Sequence, residues 1–441
     1  MSVRSPGFDA EQAITPELPP DTGYTDLTDT NANSWVSSTH TPMGFVEFVL
    51  IIASVMALNP LALDLMLPAL PSVGTSFSIH DGNRLQEVLS IYLTGFGIGQ
   101  FFLGPLSDRF GRRPVLLWGM TFYCAAGLLV LSAPSFETML LARLLQGAST
   151  AATRVIAISI VRDCYSGRRM ASVMSSVMMI FILVPIVAPS IGQLLLFVTD
   201  WRGIFAALLL YGAVAFLWSA LRMPETLPLT ERRSLAMPEL LKAFRHVLGN
   251  RQTLGYALAA GVVQGSLFAF VFSSQQIFVD IFQLGYFFPV AFAVGAVGIC
   301  LAAFLNSRLV GRMGMRVLSH GALMIFAAAA GIMLLAASMG SLPLPLFLTL
   351  ATLMMFAFGL TFSNFTALAM EPQGHLAGTA SSIYGTITTL VGIMIGSVIG
   401  QQFNGTLLPI SIGFFICSLA TIAIVAVAER GRLFKPHHRP I

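Results

Sequence analysis

The chain alternates long apolar runs with short polar segments. A helix needs about 20 apolar residues to cross the hydrocarbon core of a bilayer, and twelve runs reach that length. The pattern therefore predicts an all-α membrane protein with twelve transmembrane helices. The predicted spans cover residues 44–70, 84–105, 114–133, 137–161, 170–198, 203–221, 253–278, 285–305, 316–338, 343–367, 376–402 and 405–428.

The polar gaps divide these spans into two groups of six. The widest gap between spans, Arg222–Gln252, holds six basic residues and predicts a cytoplasmic linker with a short amphipathic helix. We therefore expect an N-terminal six-helix bundle over residues 43–221, a linker over 222–252 and a C-terminal six-helix bundle over 253–428. Two six-span halves are typical of transporters built from repeats. The loop Asn306–Gly314 before span nine echoes the charged loop before span three, although it lacks an acidic residue.

The two ends of the chain differ in composition from the spans. Residues 1–42 hold six acidic residues, one arginine and five prolines. They lack the basic segment and apolar core of a signal peptide, so we expect a disordered acidic cytoplasmic tail. Residues 429–441 predict a basic cytoplasmic tail.

The distribution of charge predicts the orientation. The 441 residues are 56% hydrophobic and 10% charged, whereas a soluble domain carries about 25% charged residues. With both termini inside the cell, 20 of the 24 basic residues fall in cytoplasmic segments, as the positive-inside rule requires. We expect a multi-pass protein of the inner (plasma) membrane. The arginines set topology, so nucleic-acid binding is not expected.

Enzymatic and metal chemistry have no signature in the sequence. The four cysteines, Cys124, Cys164, Cys300 and Cys417, lie far apart and lack histidine partners at ligand spacing. No metalloprotease, nucleophile-elbow or paired-carboxylate motif is present. We therefore expect no enzyme activity, no cofactor and no metal site.

One charged loop stands out between spans two and three. In Gly104–Pro114, four charges lie within six residues, at Asp108, Arg109, Arg112 and Arg113. Gly104 and Gly111 predict tight turns, and Pro114 suits the first turn of the next helix. A basic loop that only sets topology is one interpretation. A gating element is the other, and it explains why both glycines and the aspartate are needed.

Charges inside the spans are candidates for function, because each costs at least about 2.5–3.5 kcal/mol at the bilayer centre. Asp64 in span one and Arg143 in span four are predicted at matching depth, roughly 9 Å below the outer surface. Opposite charges at one depth predict an ion pair and a site of proton coupling. The alternative is that Arg143 braces helices while Asp64 faces a wet crevice. Arg154, deeper in span four, has no partner that the sequence identifies.

Several motifs resemble the major facilitator superfamily. Gly104–Pro114 matches its loop signature G-x-L-x-D-R-x-G-R-R, and Arg143–Gly147 resembles its R-x-x-Q-G proton-coupling motif. Asp64–Pro71 resembles the D-x-x-L-P-A-L-P of twelve-span drug:proton antiporters. Ala377–Ser382 and Glu225–Pro228 resemble the bicyclomycin/chloramphenicol resistance (Bcr/CflA) branch.

The resemblance implies two six-helix bundles around a central cavity, with alternating access and export of small apolar compounds against proton entry. It implies that Asp64 and Arg143 couple protons, and that Asp108 contacts the start of span eleven at residues 375–378. The gating motif comprises Gly104, Asp108, Arg109, Gly111, Arg112 and Arg113. The predicted cavity residues are Tyr92, Gln146, Met178, Phe181, Phe272, Gln275 and Phe362.

The chain departs from the family pattern at two places. The antiporter motif of span five, G-P-x-x-G-G, is here Ala188–Gln193 and has lost two glycines, which weakens the case for export over uptake. Met56 stands where some multidrug relatives carry a second acid, so Asp64 is expected to titrate alone. The leading hypothesis is a monomeric drug:proton antiporter in the lipid bilayer. Export of an endogenous metabolite or siderophore is the alternative.

Overall fold

All twelve predicted membrane spans are helices in the computed structural model, which describes residues 43–232 and 244–434. The predicted tails and part of the linker lie outside these residues. The helical spans are Phe45–Asp64 (continued by Leu67–Ala69 and Leu70–Phe77), Glu87–Phe110 (preceded by Gly82–Leu85), Arg112–Leu131, Phe136–Cys164, Gly167–Leu196, Trp201–Arg222, Arg251–Gln275 (continued by Gln276–Ile281), Phe288–Met313, Met315–Ser338, Leu344–Met370, Ala377–Gly400 and Leu408–Ala428, numbered one to twelve below.

Two spans are interrupted by a change of helix type. In span one the α-helix ends at Asp64 and resumes at Leu70 after a 3₁₀ turn that contains Pro68. A proline has no N–H to donate to the preceding turn, which favours a break here. Span seven ends in a π-helix, Gln276–Ile281. Such π-helices are rare and often lie at functional sites.

Glycines bring helices of the same half into backbone contact. A Cβ atom at Gly95 of span two would lie 2.0 Å from the carbonyl oxygen of Leu144, and one at Gly147 of span four 1.8 Å from that of Tyr92. In the second half, a Cβ at Gly396 of span eleven would lie 3.0 Å from the Ala269 nitrogen of span seven. Small residues permit such close approach, and they lock span two to span four and span eleven to span seven.

The two halves meet along two pairs of spans. Span two packs against span eleven, and span five packs against span eight. Near the middle of the first pair, Gln100 Nε2 donates to Thr389 Oγ1 at 3.1 Å, and Ser382 Oγ donates to the Gln100 carbonyl at 2.9 Å. These two contacts hold span two against span eleven at the interface between the halves.

The charged motif Gly104–Pro114 is not a loop. Span two stays helical through Phe110 and span three begins at Arg112, so Gly111 alone forms the connection, with φ +102°. The turn predicted at Gly104 is wrong, because this residue lies within the helix and faces Ser382 of span eleven. Gly314, with φ +81°, connects spans eight and nine in the same way. The side of the bundle at Gly111 and Gly314 is called the loop face below.

The described part of the linker returns to the two halves. Residues 244–249 form a short helix. The Phe244 ring lies 4.9 Å from that of Phe101 in span two, while Val247 is buried with Ala380 and Ile383 of span eleven. The linker helix therefore contacts both halves on the loop-face side of their interface.

Candidate functional site

Asp64 lies at the break in span one, buried between spans. The residue is 4% exposed. A Cβ atom at Gly192 of span five would lie 2.2 Å from the neighbouring Leu65 carbonyl oxygen, so span five packs directly on the break. Within residues 43–232 and 244–434, the Asp64 carboxylate accepts no hydrogen bond and forms no ion pair. A buried carboxylate without such partners is neutralised most simply by taking up a proton.

Arg143 is fully buried beside it and has its own partners. Its Nε donates to the Val88 carbonyl at 3.2 Å, Nη2 to the Ala62 carbonyl at 3.1 Å, and Nη1 to Gln146 Oε1 at 2.8 Å. The guanidinium also lies over the Tyr92 ring, 4.1 Å from its centroid, where a cation is attracted to the ring face. Three spans thus hold this arginine in place.

The predicted ion pair between Asp64 and Arg143 is absent from the described residues. Asp64 and Arg143 do lie at a similar level along their helices, because Arg143 bonds to the carbonyl of Ala62, two residues before Asp64. The pair does not form because the guanidinium instead donates to two backbone carbonyls and an amide oxygen. The positive charge of Arg143 is therefore stabilised by these acceptors and not by the Asp64 carboxylate.

Tyr92 and Asn59 extend this buried polar group. The Tyr92 hydroxyl donates to Asn59 Oδ1 at 3.1 Å, which joins span two to span one. Asn59 was not anticipated from the sequence, although a polar residue before Pro60 in an apolar run was a signal. We call Asn59, Asp64, Tyr92, Arg143 and Gln146 the Asp64 cluster.

A second ionic group lies at the loop face and centres on Arg112. This arginine is 5% exposed. Its side chain donates to Asp108 and to Ser107, and its Nε donates to Asp163 Oδ2 at 2.8 Å. Its backbone N–H donates to Glu225 Oε1 at 2.9 Å. The motif thereby ties the ends of spans two, three and four to the segment after span six.

The other motif residues have separate roles. A Cβ atom at Gly111 would lie 2.3 Å from Glu225 Oε2, so only glycine fits between this carboxylate and the turn. Arg113 Nη2 donates to the Ala220 carbonyl at 2.7 Å, and the Arg109 guanidinium lies over the Phe110 ring. The predicted contact of Asp108 with residues 375–378 falls on side chains outside those described.

Asp163 is a member of this ionic group that sequence reasoning missed. It follows Arg162 at the end of span four, where the pair looked like ordinary loop charge. Its carboxylate accepts from Arg112 Nε and from the Thr226 hydroxyl, at 3.3 Å. An acid that immediately follows an apolar span was the available signal.

A polar cluster joins the two halves at the face opposite the loop face. Gln86 Nε2 donates to Gln276 Oε1 and to the Gly400 carbonyl, and Gln276 Nε2 donates to Asn83 Oδ1 at 2.9 Å. Asn83 Nδ2 reaches the carbonyls of Gln401 and Phe403, at 3.2 and 3.0 Å. We call Asn83, Gln86, Gln276 and Gln401 the polar gate.

The sequence did not identify the polar gate, because uncharged amides at span ends are unremarkable individually. In the structure they interlock the start of span two with the ends of spans seven and eleven. The π-helix that begins at Gln276 is the local feature that marks this position.

The predicted cavity residues divide into three groups. Tyr92 and Gln146 belong to the Asp64 cluster, and both are buried. Phe272 stacks on Phe268 at 5.8 Å, and Phe362 on Phe358 at 5.4 Å. The remaining three residues are buried or partly buried in helix packing: Met178, Phe181 and Gln275.

Arg154 lies in span four on the loop-face side of the Asp64 cluster. In the part of the chain that the structure describes, it makes no hydrogen bond and no ion pair. Tyr384 of span eleven lies within electrostatic range of it. This arginine therefore lies on the side of span four that faces span eleven.

Twelve helices long and apolar enough to cross a bilayer, in two groups of six, define a multi-pass membrane protein. The chain belongs to the major facilitator superfamily, whose family model (Major Facilitator Superfamily) matches residues 52–397. It is a transporter and not an enzyme.

Named relatives support the Bcr/CflA branch. The chain is 29% identical to a bicyclomycin resistance protein homolog of Haemophilus influenzae over 85% of this chain and 94% of the relative. It is 32% identical to a chloramphenicol resistance protein of Pseudomonas aeruginosa over 78% and 82%. Among solved structures, a D-xylose–proton symporter shares the fold, with a TM-score of 0.68 and 14% identity over 89% of this chain and 99% of that one.

Proposed function

We propose that this protein is a proton-coupled exporter of small, largely apolar or amphipathic compounds. The observation that carries the proposal is Asp64, a buried carboxylate in a membrane span that has no hydrogen-bond or ion-pair partner among the described residues. It lies near Arg143, which is held by backbone carbonyls and by Gln146. A carboxylate in this position binds a proton when water reaches it at high proton concentration and releases it at the other face.

Alternating access supplies the change in exposure. The polar gate closes the face opposite the loop face, so export requires its hydrogen bonds between the halves to break. The ionic group centred on Arg112 holds the N-terminal half together at the loop face while the two halves tilt. Proton binding at Asp64 removes a negative charge beside spans two and five. This change favours the conformation in which the two halves tilt in the opposite direction.

The orientation follows from the charges. We propose that the loop face is cytoplasmic, since 20 of the 24 basic residues fall on that side when both termini are inside. Protons then enter from the face of the polar gate, down the usual bacterial gradient. All groups named here lie in one chain, so a monomer suffices.

The cargo is proposed from the relatives and the lining. Two relatives are named for resistance to bicyclomycin and to chloramphenicol, both small compounds. Aromatic and methionine side chains at the predicted cavity positions accept varied apolar ligands without strict hydrogen-bond requirements.

The test is drug transport with and without Asp64. In proteoliposomes with an imposed pH gradient, the wild type should drive chloramphenicol or bicyclomycin transport that collapses with the gradient. Asp64→Asn should abolish gradient-driven transport, because an amide cannot exchange a proton. The variant should still exchange drug across the membrane when the pH is the same on both sides. Asp280→Asn is the matched control, since Asp280 also lies in a span but is exposed at its end.

Two results would contradict the proposal. Gradient-driven transport that persists unchanged in Asp64→Asn would remove Asp64 from coupling. Transport of both drugs that is indifferent to the pH gradient in the wild type would remove proton coupling from the protein.

A further inference from the structure

A basic cavity lies at the loop face within the C-terminal half. It has a volume of about 430 Å³ and opens between the start of span seven and the end of span twelve. Arg251, Arg430 and Arg432 line it together with Asn250 and Glu429. Cavities of roughly 300–1,000 Å³ are the size that small ligands use.

The two helix ends build the cavity. Asn250 caps span seven, its Oδ1 accepting from the Thr253 N–H at 3.0 Å. Arg251, the first helical residue, donates from Nη2 to the Ala428 carbonyl at 2.9 Å, which fixes the start of span seven against the end of span twelve. The first turn of a helix also presents backbone N–H groups that favour an anion.

A left-handed turn brings the other two arginines to the same cavity. Arg430 has φ +53°, and the Gly431 N–H donates to the Ala426 carbonyl at 2.8 Å. This pattern reverses the chain at the end of span twelve. Arg430 and Arg432 consequently line the same cavity as Arg251, although some 180 residues separate them in sequence.

The lining holds three arginines and a single acid, Glu429. Glu429 Oε1 accepts from Arg316 Nε at 2.9 Å and from the Tyr256 hydroxyl at 2.6 Å, and its side chain is only 3% exposed. Its charge is balanced by Arg316 in the interior. The open side of the cavity therefore retains an excess of positive charge.

The position favours a ligand at the level of lipid headgroups. Val427, one residue before the helix end, is 70% exposed, as expected for a side chain that faces acyl chains. The arginines begin immediately beyond it. Basic pockets between helices on the cytoplasmic side of a membrane, the side proposed for the loop face, bind anionic headgroups.

We propose that this cavity binds a phosphate group, carried by an anionic phospholipid or free in solution. Guanidinium groups donate pairs of hydrogen bonds whose spacing matches phosphate oxygens. Three arginines from two helix ends surround the site, and phosphate binding holds spans seven and twelve together at the loop face. The site is independent of proton coupling at Asp64.

The experiment measures thermal unfolding of the full chain in neutral detergent. Dioleoyl-phosphatidylglycerol should raise the unfolding temperature more than dioleoyl-phosphatidylcholine, which has the same acyl chains and no net charge. A separate titration compares sodium phosphate with sodium chloride at equal ionic strength. Stabilisation by phosphatidylglycerol alone identifies the lipid as the source, whereas equal saturation by free phosphate identifies the soluble anion.

The variants connect the effect to the cavity. Arg430→Gln with Arg432→Gln should weaken phosphatidylglycerol binding by more than about ten-fold, since each arginine near a membrane surface contributes roughly five-fold. The control double variant, Arg308→Gln with Arg312→Gln, removes two charges from the same face outside the cavity and should bind as the wild type does. If the double variant fails to fold, Arg432→Gln alone is measured, with Arg432→Lys expected to restore only part of the binding, because an ammonium keeps the charge but lacks the paired donors.

Either of two results overturns the proposal. One is a wild type that neither phosphatidylglycerol nor phosphate stabilises beyond its neutral or chloride control. The other is a cavity variant that binds phosphatidylglycerol as tightly as the Arg308/Arg312 control.

Discussion

Arg143 shows how a single residue can carry a charge inside a membrane without an ion pair. Its donors meet the carbonyls of Val88 and Ala62 and the amide of Gln146, and its face lies on Tyr92. Charge-assisted hydrogen bonds are worth about 1.5–3 kcal/mol each, enough to offset much of the insertion cost. The Arg143 donors are taken up by these acceptors, so none of these bonds goes to the Asp64 carboxylate.

Gly111 tests the contribution of one backbone position. Gly111→Ala places a Cβ atom 2.3 Å from Glu225 Oε2 at φ +102°. The left-handed conformation alone costs about 1–2 kcal/mol for a residue with a Cβ, and displacement of Glu225 adds the loss of its bond to Arg112. We expect a fall in unfolding temperature together with slower transport.

Gly314→Ala is the matched control for this prediction. Gly314 has φ +81° and no atom within 4 Å of the position of a Cβ, so the variant incurs backbone strain alone. Melting curves of the two variants in the same detergent separate strain from contact. Equal shifts in unfolding temperature would show that the Glu225 contact contributes nothing.

At the scale of elements, spans two and four behave as one rigid unit. Their backbones approach at Gly95, Gly99 and Gly147, where any larger side chain would meet a carbonyl oxygen. The Asp64 cluster depends on this contact, because Tyr92 supplies both the carbonyl at Gly147 and the ring under Arg143. Helix packing thus positions the charged site.

Gly147→Ala should separate spans two and four. A Cβ there would lie 1.8 Å from the Tyr92 carbonyl oxygen, and overpacking of this kind typically costs about 1–3 kcal/mol. We expect a lower unfolding temperature and loss of coupled transport. Gly331→Ala in span nine is the comparison, because its nearest neighbour, Phe415, lies at an ordinary 3.5 Å. If the Gly147→Ala and Gly331→Ala proteins unfolded at the same temperature, this packing role would be refuted.

At the scale of the whole molecule, the two halves are joined by polar contacts at one face and by the linker helix on the other side. The polar gate links positions about 190 to 320 residues apart, such as Gln86 with Gln276 and Asn83 with Phe403. Hydrogen bonds of this kind contribute roughly 0.5–1.5 kcal/mol each. A few such hydrogen bonds can therefore stabilise one conformation without preventing its conversion to a conformation that is open at this face.

Removing the polar gate should shift this equilibrium. Gln86→Ala with Gln276→Ala deletes contacts between the halves at the face opposite the loop face, so that face should open more often. Spin labels at His80 and Asn404, both exposed beside the gate, report the change in a chain whose four cysteines are replaced by serine. We expect a longer distance population than in the wild type.

Gln402→Ala serves as the control for the gate, because its side chain is exposed and outside the cluster. Its distance distribution should match that of the wild type. Unchanged distances in the Gln86/Gln276 variant would mean that the amides do not govern opening.

The local sequence predicted the fold. For the site it predicted some of the residues but not the contacts between them. All twelve spans were readable because each apolar run meets the length that a bilayer imposes. Asp64, Arg143 and Arg112 were also readable, because a charge in or beside an apolar run is costly and conspicuous. Their partners were not: Asp163, Asn59 and Gln276 are ordinary polar residues until distant helices bring them together.

The sequence by itself thus determined the class of protein, the number of spans and the charged residues that are candidates for a functional role. Those properties follow from transfer of side chains between water and lipid, which each segment undergoes separately. Only the tertiary structure decided that Arg143 bonds to carbonyls instead of Asp64, that Gly111 alone connects spans two and three, and that four amides join the two halves at one face. Those features depend on distances between segments, and packing of the helices sets these distances.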